Sequence, residues 1–428
     1  MKILGVADSD SYVKWGAAAL ARTPADWEKS LVVIETPLVP TEAQRIAAVE
    51  GLPEIIGLGG GSAPPVLNLT ELTELVAREQ PEVIFLSLRG PLIRVVLRAA
   101  LSVTTTRPVI VSGLPGISIP ATRKALTFRS QVDLIVLHSK HEIHEFIEVA
   151  KYLKIEQEFG LATLPFLESH PQLPSVLTGV RDEIVFAAQA KVPRILSERI
   201  AILNWLAECA RRHPDVRVVV KLRAIGDEKQ THAEQHPYDA LLAELHDRPQ
   251  NLVAEAGSMS AHLSRAIGLV TVSSTAMIEA AALGIPGLAL DDFGVSGKLI
   301  NTVFENSNLF GSSRDLIDAA FRHPDPAWLD DNYFHDESEN DWIQRIELLV
   351  VARAEGRLRL KRQRFGRAGG RLRHVWDRKR ALGALDRSPG GYLALVIGYP
   401  ARQALRIARR TRGLIRGARR RLSADPTE

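Results

Sequence analysis

Residues 269–286 read LVTVSSTAMIEAAALGIP, and this stretch decides the fold. An aliphatic and β-branched run from Leu269 to Val272 ends in three hydroxyl residues. The alanine-rich segment that follows closes with Gly284 and Pro286, which are residues that end helices. Strand, polar turn and helix in this order form the unit of parallel α/β sheets. The stretch therefore predicts a parallel sheet covered by helices.

The same unit recurs along most of the chain. Short apolar runs without alternation suit strands that are buried on both faces of a sheet. These runs are Ile3–Ala7, Leu31–Glu35, Val83–Ser87, Val109–Ser112, Leu134–Leu137, Ile184–Ala187, Val216–Lys221, Leu252–Ala254, Leu269–Val272 and Gly287–Leu290. Helix-like segments separate them. Two successive arrays of this kind predict an α/β protein with two Rossmann-like domains that face a cleft.

A proline-rich break at Pro165–Gly179 divides the two arrays, and we interpret it as an interdomain linker. Past residue 324 the pattern is helical, with a helix over Glu339–Arg353 that returns to the first domain. The predicted organisation is an N-terminal domain (1–165), a C-terminal domain (180–325), a helical crossover with a basic linker (326–388) and a basic amphipathic tail (389–428).

The charge is distributed unevenly. Of 54 Lys/Arg and 50 Asp/Glu residues, 22 and 5 lie from Val351 onward, so this region carries +17 and the first 350 residues carry −13. A basic block of this kind is typical of an interaction segment. The single cysteine, Cys209, excludes a disulfide framework and is expected to be a packed thiol. Without a signal peptide or a long apolar run, we expect a cytoplasmic protein.

Ser273, Ser274 and Thr275 open the helix of residues 276–283 and predict an anion site of the phosphate-binding kind. Glu279, one turn further, is positioned to reach a ribose hydroxyl. The alternative is that the hydroxyl residues only cap the helix.

Two cations, Lys221 and Arg223, leave the end of another predicted strand, and His236 precedes a helix that begins with proline. Together with the serine turn they predict a phosphate clamp. The alternative is that His236 is an ordinary polar loop residue.

Strand, lysine and His-Pro, followed by strand, Ser-Ser-Thr, helix and Gly-Ile-Pro, resembles the C-terminal domain of bacterial GT-B glycosyltransferases. It is most similar to sialyltransferases and capsule Kdo-transferases, which carry His-Pro and Ser-Ser motifs. The whole chain, with its start DSDSY at residues 8–12, also resembles an actinobacterial glycosyltransferase family. The resemblance covers residues 1–320 and implies a GT-B fold and a nucleotide-sugar donor, with CMP-sugars as a candidate. It implies that His236, Ser273 and Ser274 hold the donor phosphate.

In those enzymes a carboxylate of the N-terminal domain acts as base, but their acidic-acidic-Gly motif is not found in this sequence. Asp8 and Asp10 leave the first strand and are our candidates for the base, with helix capping as the alternative. Gly113 and Gly116 form a tight turn that would admit an acceptor. We predict no cofactor and no metal, because no Asp-x-Asp follows a strand of the second domain.

The tail carries Ala404, Ala408, Thr411, Ile415, Ala418 and Leu422 at steps of four and three. Much of the remaining surface is occupied by Arg402, Arg406, Arg409, Arg410, Arg416, Arg419 and Arg420. This pattern predicts a basic amphipathic helix on an anionic membrane, rather than nucleic-acid binding. A disordered tail is the alternative.

The sequence as a whole therefore predicts a glycosyltransferase at the inner membrane face that acts on a lipid-linked or cell-surface glycan. A polyol-phosphate transferase, a nucleotide-sugar epimerase and a non-catalytic membrane scaffold remain alternatives.

Overall fold

The computed structural model describes residues 1–52, 63–168, 180–190, 192–222, 235–359, 361, 371–400 and 404. Seven strands form the first sheet: β1 (Lys2–Ala7), β2 (Glu28–Ile34), β3 (Val66–Leu67), β4 (Val83–Ser87), β5 (Val109–Gly113), β6 (Leu134–Leu137) and β7 (Glu158–Leu161). Six form the second: β8 (Glu183–Ala187), β9 (Arg217–Lys221), β10 (Leu252–Glu255), β11 (Ala266–Thr271), β12 (Gly287–Leu290) and β13 (Phe310–Gly311).

Helices connect and follow these strands. In the first half they are α1 (Asp10–Ala21), α2 (Glu42–Ala47), α3 (Leu69–Glu79), α4 (Gly90–Leu101), α5 (Arg123–Phe128), α6 (Lys140–Leu153) and α7 (Pro165–Glu168). In the second half they are α8 (Leu196–Arg212), α9 (Tyr238–Ala243), α10 (Met259–Leu263), α11 (Ala276–Ala282), α12 (Ser313–Ile317), α13 (Pro326–Asp331), α14 (Trp342–Ala354) and α15 (Arg371–Leu382). Residues 389–400 are also helical.

Both sheets have the same connectivity. The first has the strand order β3-β2-β1-β4-β5-β6-β7 and the second β10-β9-β8-β11-β12-β13. Read from its first strand, each sheet shows the Rossmann order 3-2-1-4-5-6. In each sheet the order in which successive strands are added therefore reverses once, between β1 and β4 in the first sheet and between β8 and β11 in the second. In such folds these switch points are where ligands bind.

The second sheet is buried on both faces because its strands are almost wholly aliphatic. Ile184 and Phe186 belong to one core cluster with residues of α8 and α9. The alternate residues Val185 and Ala187 belong to another with residues of α11. This division follows from the two-residue period of a strand. Cys209 is fully buried in the first cluster, which confirms the expected packed thiol, and burial raises its pKa to about 12.

The chain divides into two compact units. One comprises Met1–Ile110, Thr127–Gln131 and Arg353–Glu428, and the other comprises Val111–Leu126 and Val132–Ala352. The domain boundaries expected from the sequence stay a prediction.

All ten predicted strands are present, with ends shifted by a few residues at most. The helix expected from Glu339 starts later, at Trp342, because residues 337–339 form a separate 3-10 turn capped by the carboxylate of Asp336. Pro237 is the N-cap of α9 rather than its first residue. Most of the linker (residues 169–179) and nearly all of the tail beyond residue 400 lie outside the described residues.

Candidate functional site

The loops after β8 and β11 are joined at the switch point of the second sheet. The Ser273 hydroxyl after β11 donates to Oε1 of Gln189 after β8 at 2.9 Å, and the Ser273 N–H donates to the same oxygen at 3.2 Å. Ser273 is buried. The predicted serine turn therefore lies at the ligand-binding edge of this sheet, but the Ser273 hydroxyl is turned into the protein.

The other two hydroxyl residues of the turn differ in exposure. Ser274 Oγ accepts the N–H of Ala276 at 3.2 Å, and its own N–H donates to Thr271 Oγ1 at 3.0 Å. Thr275 is exposed and makes no side-chain bond to the helix start. Ser274 thus bonds the first N–H of α11, whereas Thr275, the N-cap residue, is exposed and presents its hydroxyl to solvent.

Lys221 and Glu279 interact at the same edge. Lys221, the last residue of β9, is buried and its Nζ donates to the carbonyl of Leu222 at 2.5 Å. Burial raises the pKa of Glu279, and the positive charge of Lys221 opposes this rise. The end of β9 therefore supplies a cation, and α11 a partly buried carboxylate, to the carboxyl edge of the sheet.

The segment that carries His236 is held by a buried arginine. Arg199, in the first turn of α8, donates from one terminal nitrogen to the His236 carbonyl at 2.7 Å, and from the other to the carbonyls of Gln189 (2.7 Å) and Ala190 (3.1 Å). Its Nε donates to the Pro193 carbonyl at 2.8 Å. Because one guanidinium bonds four carbonyls, the loop after β8 and the segment before α9 are fixed together.

Arg199 and Gln189 are the residues that the sequence did not reveal. An arginine in an amphipathic helix normally indicates a solvated face, and a lone glutamine after a strand carries no motif. Of the predicted donor-binding residues, Arg223 lies outside the described residues.

The predicted acceptor turn lies beside the serine turn. Gly113 is the buried last residue of β5. Gly116 has φ +75°, a left-handed backbone that favours glycine, and a Cβ added there would lie 4.0 Å from Cγ2 of Thr275. Gly116 and the exposed Thr275 are therefore neighbours within the second unit.

Asp8 occupies the switch point of the first sheet. It follows β1, is fully buried, and its carboxylate accepts from Nε of Arg89 at 2.5 Å and from the Arg89 N–H at 3.2 Å. Burial raises the pKa of Asp8, and the Arg89 guanidinium opposes this rise. Arg89, which follows β4 as the N-cap of α4, keeps about a third of its side chain exposed.

A second arginine lies close to this pair. Arg129 is buried and donates to the carbonyl of Leu88 at 3.1 Å. Burial raises the pKa of the Tyr12 phenol, and the bond from Arg129 opposes this rise. The charges of Asp8, Arg89 and Arg129 therefore influence one another at one edge of the first unit.

Asp10, the other predicted base, has a different environment. It is the first residue of α1 and pairs with Lys14 at 3.0 Å, one turn along the helix. The side chain of Lys14 is 56% exposed and that of Asp10 is 38% exposed, and Oδ1 of Asp10 is buried without a hydrogen-bond partner among the described residues. A substrate would therefore meet Asp10 at Oδ2, in place of the exposed Lys14 ammonium group.

A buried carboxylate that the sequence did not single out joins three segments of the second unit. Glu142, in the first turn of α6, accepts the N–H of Ser118 at 2.6 Å, the N–H of His138 at 3.0 Å and the hydroxyl of Tyr333 at 2.8 Å. Burial raises the pKa of Glu142 to about 7, against the effect of these three donors. Glu142 thus anchors the loop that continues from the Gly113–Gly116 turn.

Within the described part of the chain, no group of three or more His, Cys, Asp or Glu side chains is arranged to hold a metal ion. The cations at the two switch points are the features suited to an anionic ligand.

Two parallel sheets of Rossmann order, each with polar side chains at its switch point, define a two-domain α/β protein of the GT-B type. A family model described as "Putative glycosyltransferase (DUF6716)" matches residues 3–349, and the chain belongs to this family. The sequence matches no curated protein.

Solved structures share the fold at low identity. A protein described as a "putative UDP-N-acetylglucosamine 2-epimerase" from Listeria monocytogenes is 12% identical with a TM-score of 0.52, over 85% of this chain and 99% of that one. The UDP complex of MnaA from S. aureus is 13% identical (TM-score 0.51; 85% and 100% covered), and the 2-epimerase from Methanocaldococcus jannaschii is 12% identical (0.51; 81% and 99%). These similarities confirm the predicted two-domain α/β architecture.

Proposed function

We propose that the protein transfers a sugar from a nucleotide-activated donor to a lipid-linked or cell-surface glycan at the inner face of the membrane. The observation that supports this proposal best is the hydrogen bond between Ser273 and Gln189, which joins two loops at the switch point of the second sheet. The chain that carries it belongs to a glycosyltransferase family. Lys221, His236 and the exposed Thr275 lie on segments that meet this edge and suit the donor's phosphates.

The donor side of this proposal needs no metal. As the acceptor oxygen bonds to the anomeric carbon, the bond from that carbon to the phosphate oxygen breaks, and negative charge collects on the nucleotide. Lys221, His236 and the exposed Thr275 hydroxyl would stabilise that charge. The UDP in the MnaA complex makes UDP-sugars candidates beside CMP-sugars.

The acceptor's proton passes to a carboxylate of the first unit. Arg89 occupies both oxygens of Asp8, whereas Asp10 is partly exposed and its Oδ2 pairs only with the exposed Lys14. We therefore propose Asp10 as the base and Asp8 as the residue that positions Arg89.

An epimerase is the second candidate, because the structures with this fold include 2-epimerases. An epimerase would return an isomeric nucleotide sugar without net release of nucleotide, whereas a transferase releases nucleotide in step with glycan formation. Product analysis after incubation with UDP-N-acetylglucosamine and a membrane extract distinguishes the two.

A binding panel tests the proposed donor site. Calorimetry with CMP, CDP, UDP and GDP should find one nucleotide that binds, and His236→Ala should weaken its binding about 10- to 100-fold, the effect of losing a hydrogen bond to a charged group. The control is His246→Ala, an exposed histidine beyond α9 in the same unit. Equal affinities for the two variants, or no binding of any nucleotide by the wild type, would remove this site.

A further inference from the structure

The helix of residues 389–400 has an inverted distribution of side chains. Its buried positions are Gly391 and Ala394, and its large apolar side chains are exposed: Tyr392, Leu393, Leu395, Val396, Ile397 and Tyr399. In a helix that packs on its own protein, the large side chains face the core. The outward face of this helix is therefore suited to contact something outside the chain.

The start of the helix is fixed by its own sequence. Ser388 Oγ accepts the N–H of Gly391 at 3.2 Å, and Pro389 stands at the first helical position, as helix N-termini favour. The buried carboxylate of Asp386 accepts from the Ser388 hydroxyl at 2.7 Å. The helix thus begins at a specified residue on an anchored turn.

The small residues determine which face turns inward. A Cβ added to Gly398 would lie 2.5 Å from Cε3 of Trp376 in α15, so only glycine allows this approach. Gly391, Ala394 and Gly398 recur at steps of three and four, which places them on one face. The helix can therefore dock on α15 only with its large apolar side chains outward.

The surroundings of this face are basic. The sequence has no charged residue from Ser388 to Ala401, with Arg387 before this segment and four arginines within residues 402–410 after it. Lys379 of α15 lies over the ring of Tyr392, with Nζ 4.6 Å from the centroid. An apolar surface with tyrosines near both ends and cations on both sides matches the interface of an anionic bilayer.

The helix is too short to cross a membrane. Twelve residues extend about 18 Å, against a hydrocarbon core of about 30 Å. Among the described helices none is both long and apolar enough to span a bilayer. An amphipathic helix of this length instead lies in the plane of the headgroups with its apolar face inserted.

We propose that residues 389–400 are a membrane-insertion helix, whose exposed apolar face enters the acyl boundary of an anionic leaflet. This deepens the membrane location proposed above and is independent of the sugar chemistry. It assigns the attachment to apolar insertion, with the arginines beyond residue 401 adding attraction to anionic lipid.

Vesicle flotation of the full chain tests this proposal. Leu393→Gln with Val396→Gln should lower partitioning onto phosphatidylcholine–phosphatidylglycerol vesicles about tenfold or more, because two inserted apolar side chains are lost. The matched control is Leu348→Gln with Val351→Gln, equally exposed apolar residues on α14. The control should float like the wild type. Both variants should keep the wild-type nucleotide affinity. Flotation therefore tests the membrane-insertion helix, and nucleotide binding tests the donor site independently.

A fluorescent probe reports insertion directly. Because Cys209 is buried, a thiol-reactive environment-sensitive dye can be attached at Val396→Cys, and its emission should shift to the blue when anionic vesicles are added. An unshifted dye, or equal flotation of the two double variants, overturns the proposal. So does a dimer in sedimentation that Leu393→Gln with Val396→Gln converts to a monomer without affecting flotation, because the face would then bind a second copy.

Discussion

Two carboxylates follow the first strand, and their environments separate their roles. Asp8 is fully buried and paired with Arg89, whereas Asp10, in the first turn of α1, is partly exposed and paired with the exposed Lys14. A general base must come within hydrogen-bond reach of the hydroxyl that it deprotonates. At the residue scale, we propose Asp10 for this role and Asp8 as the residue that positions Arg89.

Asparagine variants test this division. Asp10→Asn should lower transfer roughly 10²–10⁴-fold, because the base is lost, with less than about 1 kcal/mol lost in stability. Asp8→Asn should cost about 1–3 kcal/mol, less than a wholly buried pair because Arg89 is partly hydrated. Urea unfolding and a transfer assay measure the two effects. A full-activity Asp10→Asn variant would exclude Asp10 as the base.

Glu142 gives the stability of the protein a specific pH dependence. Its pKa is about 7 in the folded chain, against 4.5 as the ordinary value. Between these values the folded chain holds a proton that the unfolded chain releases, so the free energy of unfolding falls as pH rises through this window. The fall attributable to Glu142 is at most on the order of 3 kcal/mol.

Urea unfolding between pH 4.5 and 8 measures this effect. Other groups titrate in the same range, so the wild type is compared with Glu142→Gln, whose side chain has no proton to release. The wild type should lose stability relative to the variant as pH rises to about 7, and the difference should then level off. Parallel profiles would show that Glu142 is ionised throughout.

At the scale of elements, the strands were predictable and the residues that join their loops were not. Runs such as Val83–Ser87 are aliphatic throughout because both faces of a parallel sheet are covered. The strands that we missed are the two-residue edges β3 and β13, and β7, whose sequence EFGL contains a glutamate and a glycine. The sequence pattern that identifies a strand is weakest where few residues pair with a neighbouring strand.

The site was predictable only where it belongs to a strand-turn-helix unit. Ser273 follows one predicted strand and Lys221 ends another, so the edge at which they lie could be inferred from topology. Arg199 acts through four backbone carbonyls, three in the loop after β8 and one at His236, and backbone acceptors leave no trace in a sequence. The direction of the Ser273 hydroxyl depends on the side-chain oxygen of Gln189, a contact that the sequence does not show either.

Arg199 should be essential to the arrangement of these loops. Arg199→Lys retains the charge, but one ammonium group cannot replace a planar fork that bonds four carbonyls. We expect a loss of about 2–4 kcal/mol, because buried carbonyls are left without donors, together with weaker nucleotide binding. Arg212→Lys, at the exposed end of the same helix, is the control and should change neither. If Arg199→Lys binds nucleotide as tightly as the wild type, the loops that Arg199 holds do not form the donor site.

At the scale of the whole molecule, fold and function are argued from different observations. The fold is shared with 2-epimerases, and the family membership indicates glycosyl transfer. One architecture supports both chemistries, so the distinction depends on the side chains at the two switch points. The direct evidence is whether nucleotide release accompanies glycan formation.

The charge distribution gives the last prediction. Residues 351–428 carry +17 and the preceding 350 carry −13, so an anionic leaflet attracts one end of the chain and repels the rest. Replacement of Arg402, Arg406, Arg409 and Arg410 by glutamine should weaken binding to anionic vesicles about 10- to 1000-fold at low salt. Each arginine near the surface contributes on the order of 1 kcal/mol, screened by ions.

The salt dependence of vesicle binding distinguishes the electrostatic attraction of the arginines from the insertion of the apolar helix. Wild-type binding should fall as salt rises and then level off at the value set by the helix of residues 389–400. The glutamine variant, which keeps the arginines from Arg412 onward, should bind more weakly at low salt, depend less on salt and approach the same value. Vesicle flotation between 50 and 500 mM salt measures the binding of both proteins. Over this range the Debye length falls from about 14 Å to about 4 Å. RNA is the competing anion, since arginine density alone does not distinguish phosphodiesters of lipid from those of nucleic acid. If the full chain prefers RNA to anionic vesicles at matched salt, the tail binds nucleic acid and the membrane location is wrong.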